Sequence, residues 1–470
     1  MGLRQASLRQ AQTDMVTLCH PELVEGLSKG DSLSFIYTIE TNFYLYPNRK
    51  SLNLQTLKKI LIVVESIDVE DSSGSKANVA LIQNLHKAGF EVLVYHYTRK
   101  EIKLPGIVCV AIKENRRSLL FFLSRLERTS RDHLKLDVHK PLQNMFGFSF
   151  TLFNDRNSIV AALRKIEGFN PDLVLTLSKG GSFRPHHALL KLPELQKKWI
   201  AYMHDPYPMH HYPKPFTWTE PGSVKKENFI REISKKATFS AFPSKLLQEW
   251  MGNFYPNFLK TGFVIPHQMI EISTEGIEFP KYFDPKGFNL LHAGNLLGAR
   301  NPKALVKAFS NFLIKFPEAK PYSKLIFLGG NNKRLLNGEL KNIENIYVSE
   351  EYVSFEQVFK MQQKTAVNII LEAKADISPF LPGKFPHCVQ ADKPILLLGP
   401  PKSEARRLLG ENYKFWAEID DLDGITRSIE NLYLQWQKSP EDFRLNRPDL
   451  INYVSVPHLK EIMDKTQIPL

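Results

Sequence analysis

The chain has 470 residues, 43% of them hydrophobic and 24% charged, which is the make-up of a globular protein too long for one core and divided into two or three domains. Its 62 Lys and Arg exceed its 49 Asp and Glu, and the net charge of +13 calls for an anionic partner or surface. No zinc-finger spacing, RNA-recognition signature or basic–aromatic repeat directs that charge to nucleic acid. Cys19, Cys109 and Cys388 form no CxxC pair, which argues against a disulfide scaffold or structural zinc site, and no run reaches the roughly 20 apolar residues that cross a bilayer. A reducing compartment, the cytoplasm, is the expected location.

Residues 1–52 read as an N-terminal extension without helix or strand period. Their HPELVEG core resembles translated intergenic repeat DNA, so the segment is either a start placed too early or a loosely ordered arm. Residues 53–271 read as a first α/β domain. Lys59–Ser66 is a buried-type strand, Asp71–Lys76 a polar loop, Val79–Lys87 an amphipathic helix stopped by Gly89, and Glu91–Tyr97 the next strand. The loop lacks the G-x-G-x-x-G spacing of a dinucleotide site. Its Ser73, Gly74 and Lys76 are candidates for cradling an acceptor or phosphate, or else form a solvated turn.

Lys113–Lys135 joins an apolar patch to Arg116, Arg117, Arg125, Arg128 and Arg131. Such a helix either lies on an anionic membrane face or packs on the core with its charges in water. Strand Asp172–Leu177 follows a helix over Ser158–Ile166. Strand Trp199–Met203 then delivers His204 and Asp205 into a loop of prolines and aromatics, the position where α/β proteins place chemistry.

Residues 272–287 read as a linker, and residues 288–447 as a second α/β domain. Strand Asn289–Ala293 runs into a loop with Gly294, Asn295, Gly298 and Arg300. Glycines let a backbone approach an anion, and arginine grips phosphate in a bidentate way. Strand Lys324–Leu328 ends at Gly329-Gly330. Two apolar runs, Val367–Leu371 and Ile395–Leu398, frame a Pro-rich loop and a helix starting near Lys384, where a cation beside free N–H groups suits a diphosphate. Residues 448–470 read as a C-terminal helix that packs back on the first domain.

The set HD, HAGNLL-x-x-R-x-P, FLGG and SPF-x-PGK-F-x-H-x-x-x-x-x-KPIL, in that order, resembles the GT-B glycosyltransferases, most closely the retaining family-four type. The resemblance runs from about Leu57 to the C-terminus. It implies two Rossmann-like α/β domains facing each other across a cleft, a UDP- or GDP-linked nucleotide sugar as co-substrate, and no other cofactor or metal. By the resemblance, Gly294, Arg300 and Lys384 meet the donor diphosphate, Asn295 stands where the family usually has an arginine, and His204 lies close to the sugar. Gly329, Phe380, Gly383 and His387 are the further donor-binding candidates, and Asp205, next to His204 at the strand end, is the second catalytic candidate, expected to set the tautomer of His204. The two glutamates that the family spaces eight apart fall on Pro379 and His387, neither of them acidic. The implied function is sugar transfer to an acceptor hydroxyl; the basic helix in Lys113–Lys135 adds the expectation of a saccharide or lipid-linked acceptor in surface-polysaccharide or glycolipid synthesis, at or near an anionic inner-membrane face. The alternatives are a sugar-nucleotide epimerase on the same fold or a non-catalytic carbohydrate- or membrane-binding scaffold.

Overall fold

The computed structural model describes residues 58–133, 138–216, 218–296, 299–329 and 344–466. The expected N-terminal extension, Gly298 and Gly330 lie outside the described residues.

Two parallel sheets carry the fold. The first contains β1 (Lys59–Val64), β2 (Glu91–His96), β3 (Val108–Ala111), β4 (Leu173–Leu177), β5 (Trp199–Tyr202), β6 (Phe239–Phe242) and β7 (Gly262–Val264), in the order β3-β2-β1-β4-β5-β6-β7. The second contains β8 (Phe288–Ala293), β9 (Ser323–Leu328), β10 (Ile346–Val348), β11 (Val367–Leu371), β13 (Ile395–Leu398) and β15 (Trp416–Ala417), in the order β10-β9-β8-β11-β13-β15. Two short strands, β12 (Ile377–Ser378) and β14 (Lys402–Ser403), pair separately. The central strands are continuous apolar runs because helices cover both faces. Along β1, Leu61 and Val63 enter one core while Ile60, Ile62 and Val64 enter the other.

In each sheet the strand order reverses beside the first strand, between β1 and β4 and between β8 and β11. The crevice outside the carboxyl ends at such a switch point is where open α/β sheets bind ligands. Glu65 and Lys179 follow β1 and β4 there, while Gly294 and Glu372 follow β8 and β11.

The C-terminal tail forms two helices, Pro448–Tyr453 and Val456–Lys465, rather than one. Ser455 breaks the run and caps the second helix, accepting from the His458 N–H. Leu459 and Met463 then pack among the apolar residues of the first sheet, so the tail does return to the first domain.

The domains also meet through Glu404, which is fully buried. Its carboxylate accepts from the backbone N–H groups of Lys245 and Leu246, both at 3.2 Å, in the first turn of the helix Lys245–Phe254. Arg407 forks onto the same carboxylate at 2.7 and 3.0 Å. A negative charge at a helix N-terminus is favourable, and here it comes from the other domain.

Three expected boundaries move. Ser73, Gly74 and Lys76 are not in a loop but in the first turn of the helix Ser73–Lys87, capped by Ser72 accepting from Ser75 N–H at 3.1 Å. The apolar period that marks a helix starts only at Val79, so the polar first turn resembled a loop. The helix expected over 158–166 spans Phe150–Leu163 and is capped by Ser149 for the same reason. The basic helix spans Leu119–His133, leaving Arg116 and Arg117 ahead of it.

Candidate active site

The second sheet builds most of the site. β8 ends at Ala293, and Gly294 follows with φ of 130°, a conformation that favours glycine. Its N–H donates to Leu328 O at 2.7 Å, tying the loop to β9. A Cβ on Gly294 would lie 3.4 Å from Lys384 Nζ, so the glycine borders the lysine that the next βαβ unit supplies. Lys384 stands directly before the short helix Phe385–Gln390, with Nζ 3.4 Å from the nearer ring nitrogen of buried His292.

Burial, and then the charge of Arg300, pushes the Lys384 ammonium down to about 7. Burial holds His292 well below its ordinary range, and Lys384 and Arg300 add to the effect, so His292 is neutral. Arg300 is lowered by burial and pulled the other way by the carboxyls of Glu372 and Asp205. Those two carboxyls come from different domains.

Glu372 is buried at the carboxyl end of β11. It donates its N–H to Leu398 O at 2.8 Å and accepts from Ser378 Oγ at 2.9 Å. Burial raises it to about 7. A Cβ on Gly399 would come within 2.5 Å of Glu372 Oε2, so glycine there leaves room for the carboxyl. Asp205, beyond β5 in the first domain, is raised by burial to about 6 against the pull of Arg300. Arg300 thus feels an acid from each side of the cleft.

The other expected residues divide. His204 follows the same strand as Asp205, but no hydrogen bond joins the two, so Asp205 does not set its tautomer as expected. The His204 ring lies 4.5 Å from that of Tyr202 and 6.2 Å, nearly parallel, from His267, and its Nε2 is buried without a partner. Burial and then His267 hold His204 well below its ordinary range.

His387 packs among aromatic rings, 5.3 Å from Phe355 and 6.0 Å from Phe359. Burial, then Lys76 and His267, brings it down to about 4. Lys76 reaches from the first domain over the Phe355 ring at 4.4 Å, with Nζ 3.5 Å from the Tyr352 hydroxyl. Phe380 lies 5.7 Å from the Tyr212 ring, and the carbonyl beside it, of Pro379, accepts from Ser244 Oγ in the first domain.

Gly329 spends its N–H on Ser349 Oγ at 2.8 Å, while Asn295 and Gly383 are exposed. Ser73 is exposed, and Gly74 lies against the backbone of Gly180. The structure therefore gathers Gly294, Arg300, Lys384 and Asp205 around one centre. It puts His387 and Lys76 beside Phe355.

Glu372, His292 and His267 were not singled out from the sequence. Glu372 and His292 carried signals: Glu372 directly follows a strand, as Asp205 nearly does, and His292 opens the HAGNLL motif. His267 carried none. Among the described residues, the one group spaced for a metal is His210, His211 and Glu227. There His210 Nε2 already bonds Glu227 at 2.8 Å and His211 Nε2 the Tyr255 hydroxyl at 3.1 Å.

Two doubly wound parallel sheets with the site at their carboxyl ends define the GT-B fold, and this chain has it. Trehalose-6-phosphate synthase OtsA is similar in structure, with a TM-score of 0.55, 12% sequence identity, and coverage of 88% of this chain and 100% of that one. Anabaena Alr3699/HepE, in complex with UDP and glucose, gives 0.54 and 10%, covering 87% and 99%. The N-terminal domain of Candida albicans trehalose-6-phosphate phosphatase gives 0.53 and 14%, covering 90% and 99%. No described protein family and no curated protein matches the chain in sequence.

Proposed function

We propose that this protein is a glycosyltransferase that moves a sugar from a nucleoside diphosphate to an acceptor hydroxyl, with retention at the anomeric carbon. The observation that carries the reading is the meeting of Gly294, Arg300 and Lys384 at the switch point of the second sheet, opposite Asp205. In the reaction the bond from the anomeric carbon to the diphosphate oxygen breaks and its electron pair stays on the phosphate. The acceptor oxygen forms the new bond on the same face, and its proton passes to the departing oxygen. Arg300 and Lys384 would balance the charge that develops, which is the largest single contribution in such sites. His204, neutral and with a free ring nitrogen, would orient a sugar hydroxyl. Glu372, bonded to the residue before Pro379, offers an acid beside the first position where the resembled family has its glutamates.

The donor is proposed to be UDP- or GDP-linked. Solved GT-B proteins with UDP and glucose, or with UDP-2-fluoro glucose, support the uridine form. A thermal-shift series with UDP- and GDP-sugars tests this. A donor at a hundred times its Kd should add roughly 2.7 kcal/mol of stability. Absence of a shift with every UDP- and GDP-sugar would remove the assignment.

The acceptor is proposed to belong to surface-polysaccharide or glycolipid synthesis at a cytoplasmic membrane face. No helix among the described residues is long and apolar enough to cross a membrane. The support is the helix Leu119–His133, where Leu119, Phe122 and Leu126 are 73%, 61% and 62% exposed beside Arg125 and Arg128. A helix of this kind lies in the interface of anionic bilayers. Co-sedimentation with anionic vesicles should be lost in Leu126→Glu; equal binding by the variant would rule out this contact.

A further inference from the structure

At the switch point of the first sheet lies a cavity of about 430 Å³ that the donor site does not use. Four carboxylates and five cationic side chains line it. Every carboxylate oxygen there is already taken by an internal donor. Asp155, fully buried, accepts from Tyr97 at 2.7 Å and Arg99 at 3.3 Å on one oxygen and from Arg184 Nε at 2.6 Å on the other. Glu65 accepts from Arg184 on one oxygen, and from Ser182 and the Lys179 N–H on the other. Both oxygens of Asp71 are 2.6 Å from Lys179 Nζ, and Asp68 takes Lys100 at 2.7 Å and the Glu70 N–H at 3.1 Å.

The cations are not used up in the same way. A guanidinium has five N–H groups and an ammonium three, so donors remain after the acids are satisfied. Arg128, exposed at the rim on the helix Leu119–His133, has no hydrogen bond or ion pair among the described residues. Among the charged groups that line the cavity, the unspent hydrogen-bonding capacity is therefore donor capacity, with the Thr98 and Thr151 hydroxyls beside it. A neutral sugar, whose hydroxyls both give and accept, leaves part of it unspent; a dianion with three acceptor oxygens does not.

We propose that this cavity binds a phosphoryl group, and that the acceptor of the transfer reaction carries it. Calling the ligand an acceptor rests on the glycosyltransferase reading; the phosphoryl site does not. The phosphate belongs either to a soluble sugar phosphate or to a lipid headgroup, since the exposed apolar stripe lies on the same helix as Arg128.

Titration calorimetry of the full chain with glucose 6-phosphate and with glucose forms one arm of the test. Co-sedimentation with phosphatidylcholine vesicles carrying phosphatidate or, at matched surface charge, phosphatidylserine, which lacks a phosphate monoester, forms the other. In at least one arm the phosphorylated probe should bind about tenfold or more tightly than its counterpart, and Arg128→Gln should weaken it roughly tenfold. UDP affinity should stay within about twofold, because the sites share no partner. Preference in the soluble arm assigns a sugar phosphate; preference in the vesicle arm alone assigns a lipid phosphate. No preference in either arm, or a preference that Arg128→Gln leaves unchanged, overturns the site. Failure of the wild-type protein to bind UDP would count against the donor assignment and leaves the result for this cavity standing.

Discussion

Arg300→Ala should lower turnover about a hundredfold or more, the effect of removing one preorganised contact to a developing oxyanion. The effect is electrostatic. Arg300 is the cation that answers Glu372 and Asp205 in the buried centre, and without it a diphosphate would meet those acids with only Lys384 as counter-charge. The loss should appear mainly in kcat, because charge on the leaving oxygens grows toward the transition state. Arg300→Lys should recover part of it, since the charge is kept and the bidentate geometry is lost. Unchanged turnover in Arg300→Ala would place the leaving group elsewhere.

Lys384→Met should act in opposite directions on stability and on donor binding. The folded protein holds this ammonium down to about 7, against 10.5 for an ordinary lysine, mainly through burial. A lysine lowered on folding costs stability in full below pH 7, and the cost is relieved as pH rises from 7 toward 10.5. The variant should therefore be more stable than wild type by at least about 1 kcal/mol at pH 6, with the gain shrinking in alkaline buffer.

Donor binding should run the other way. A diphosphate prefers the charged lysine, so wild-type affinity should be highest below pH 7 and fall by up to about tenfold per unit above it. Asp205 and Glu372 ionise at about 6 and about 7 and reinforce that fall. Lys384→Met should lose most of the component due to Lys384 along with the affinity. A pH-independent Kd for a UDP-sugar in the wild type, whose diphosphate does not titrate in this range, measured by calorimetry, would show that Lys384 does not meet the phosphates.

The two effects together describe a site held ready at the expense of the unliganded fold. Lys384 and Arg300 press on each other and on neutral His292 through burial and like charge, and the diphosphate proposed to bind there would relieve that repulsion. Glu404 shows the converse. It is as buried as any residue here, but two helix N–H groups and Arg407 satisfy it, so it ties the domains together without awaiting a ligand.

Much of this was legible along the chain. β1, β4, β5, β8, β11 and β13 are apolar runs short enough for buried parallel strands, and a residue placed just after one, such as Asp205 or Gly294, is at the ligand-binding edge wherever the sheet lies. Gly294, Arg300 and Lys384 could be marked for the same local reasons. The first turn at Ser73–Lys76 was hidden because its cap is a polar hydrogen bond rather than a period. The charge of Arg300 acting on Asp205, the place of Glu372 against Gly399, and the Glu65–Arg184–Asp155 network were not legible at all. Periodicity and turn chemistry are written between near neighbours, so the order of residues alone determined the strands, their edges and the candidate cations. A buried charge takes its role from whichever distant group desolvates or answers it, and only the packing of the two sheets decided which groups those are.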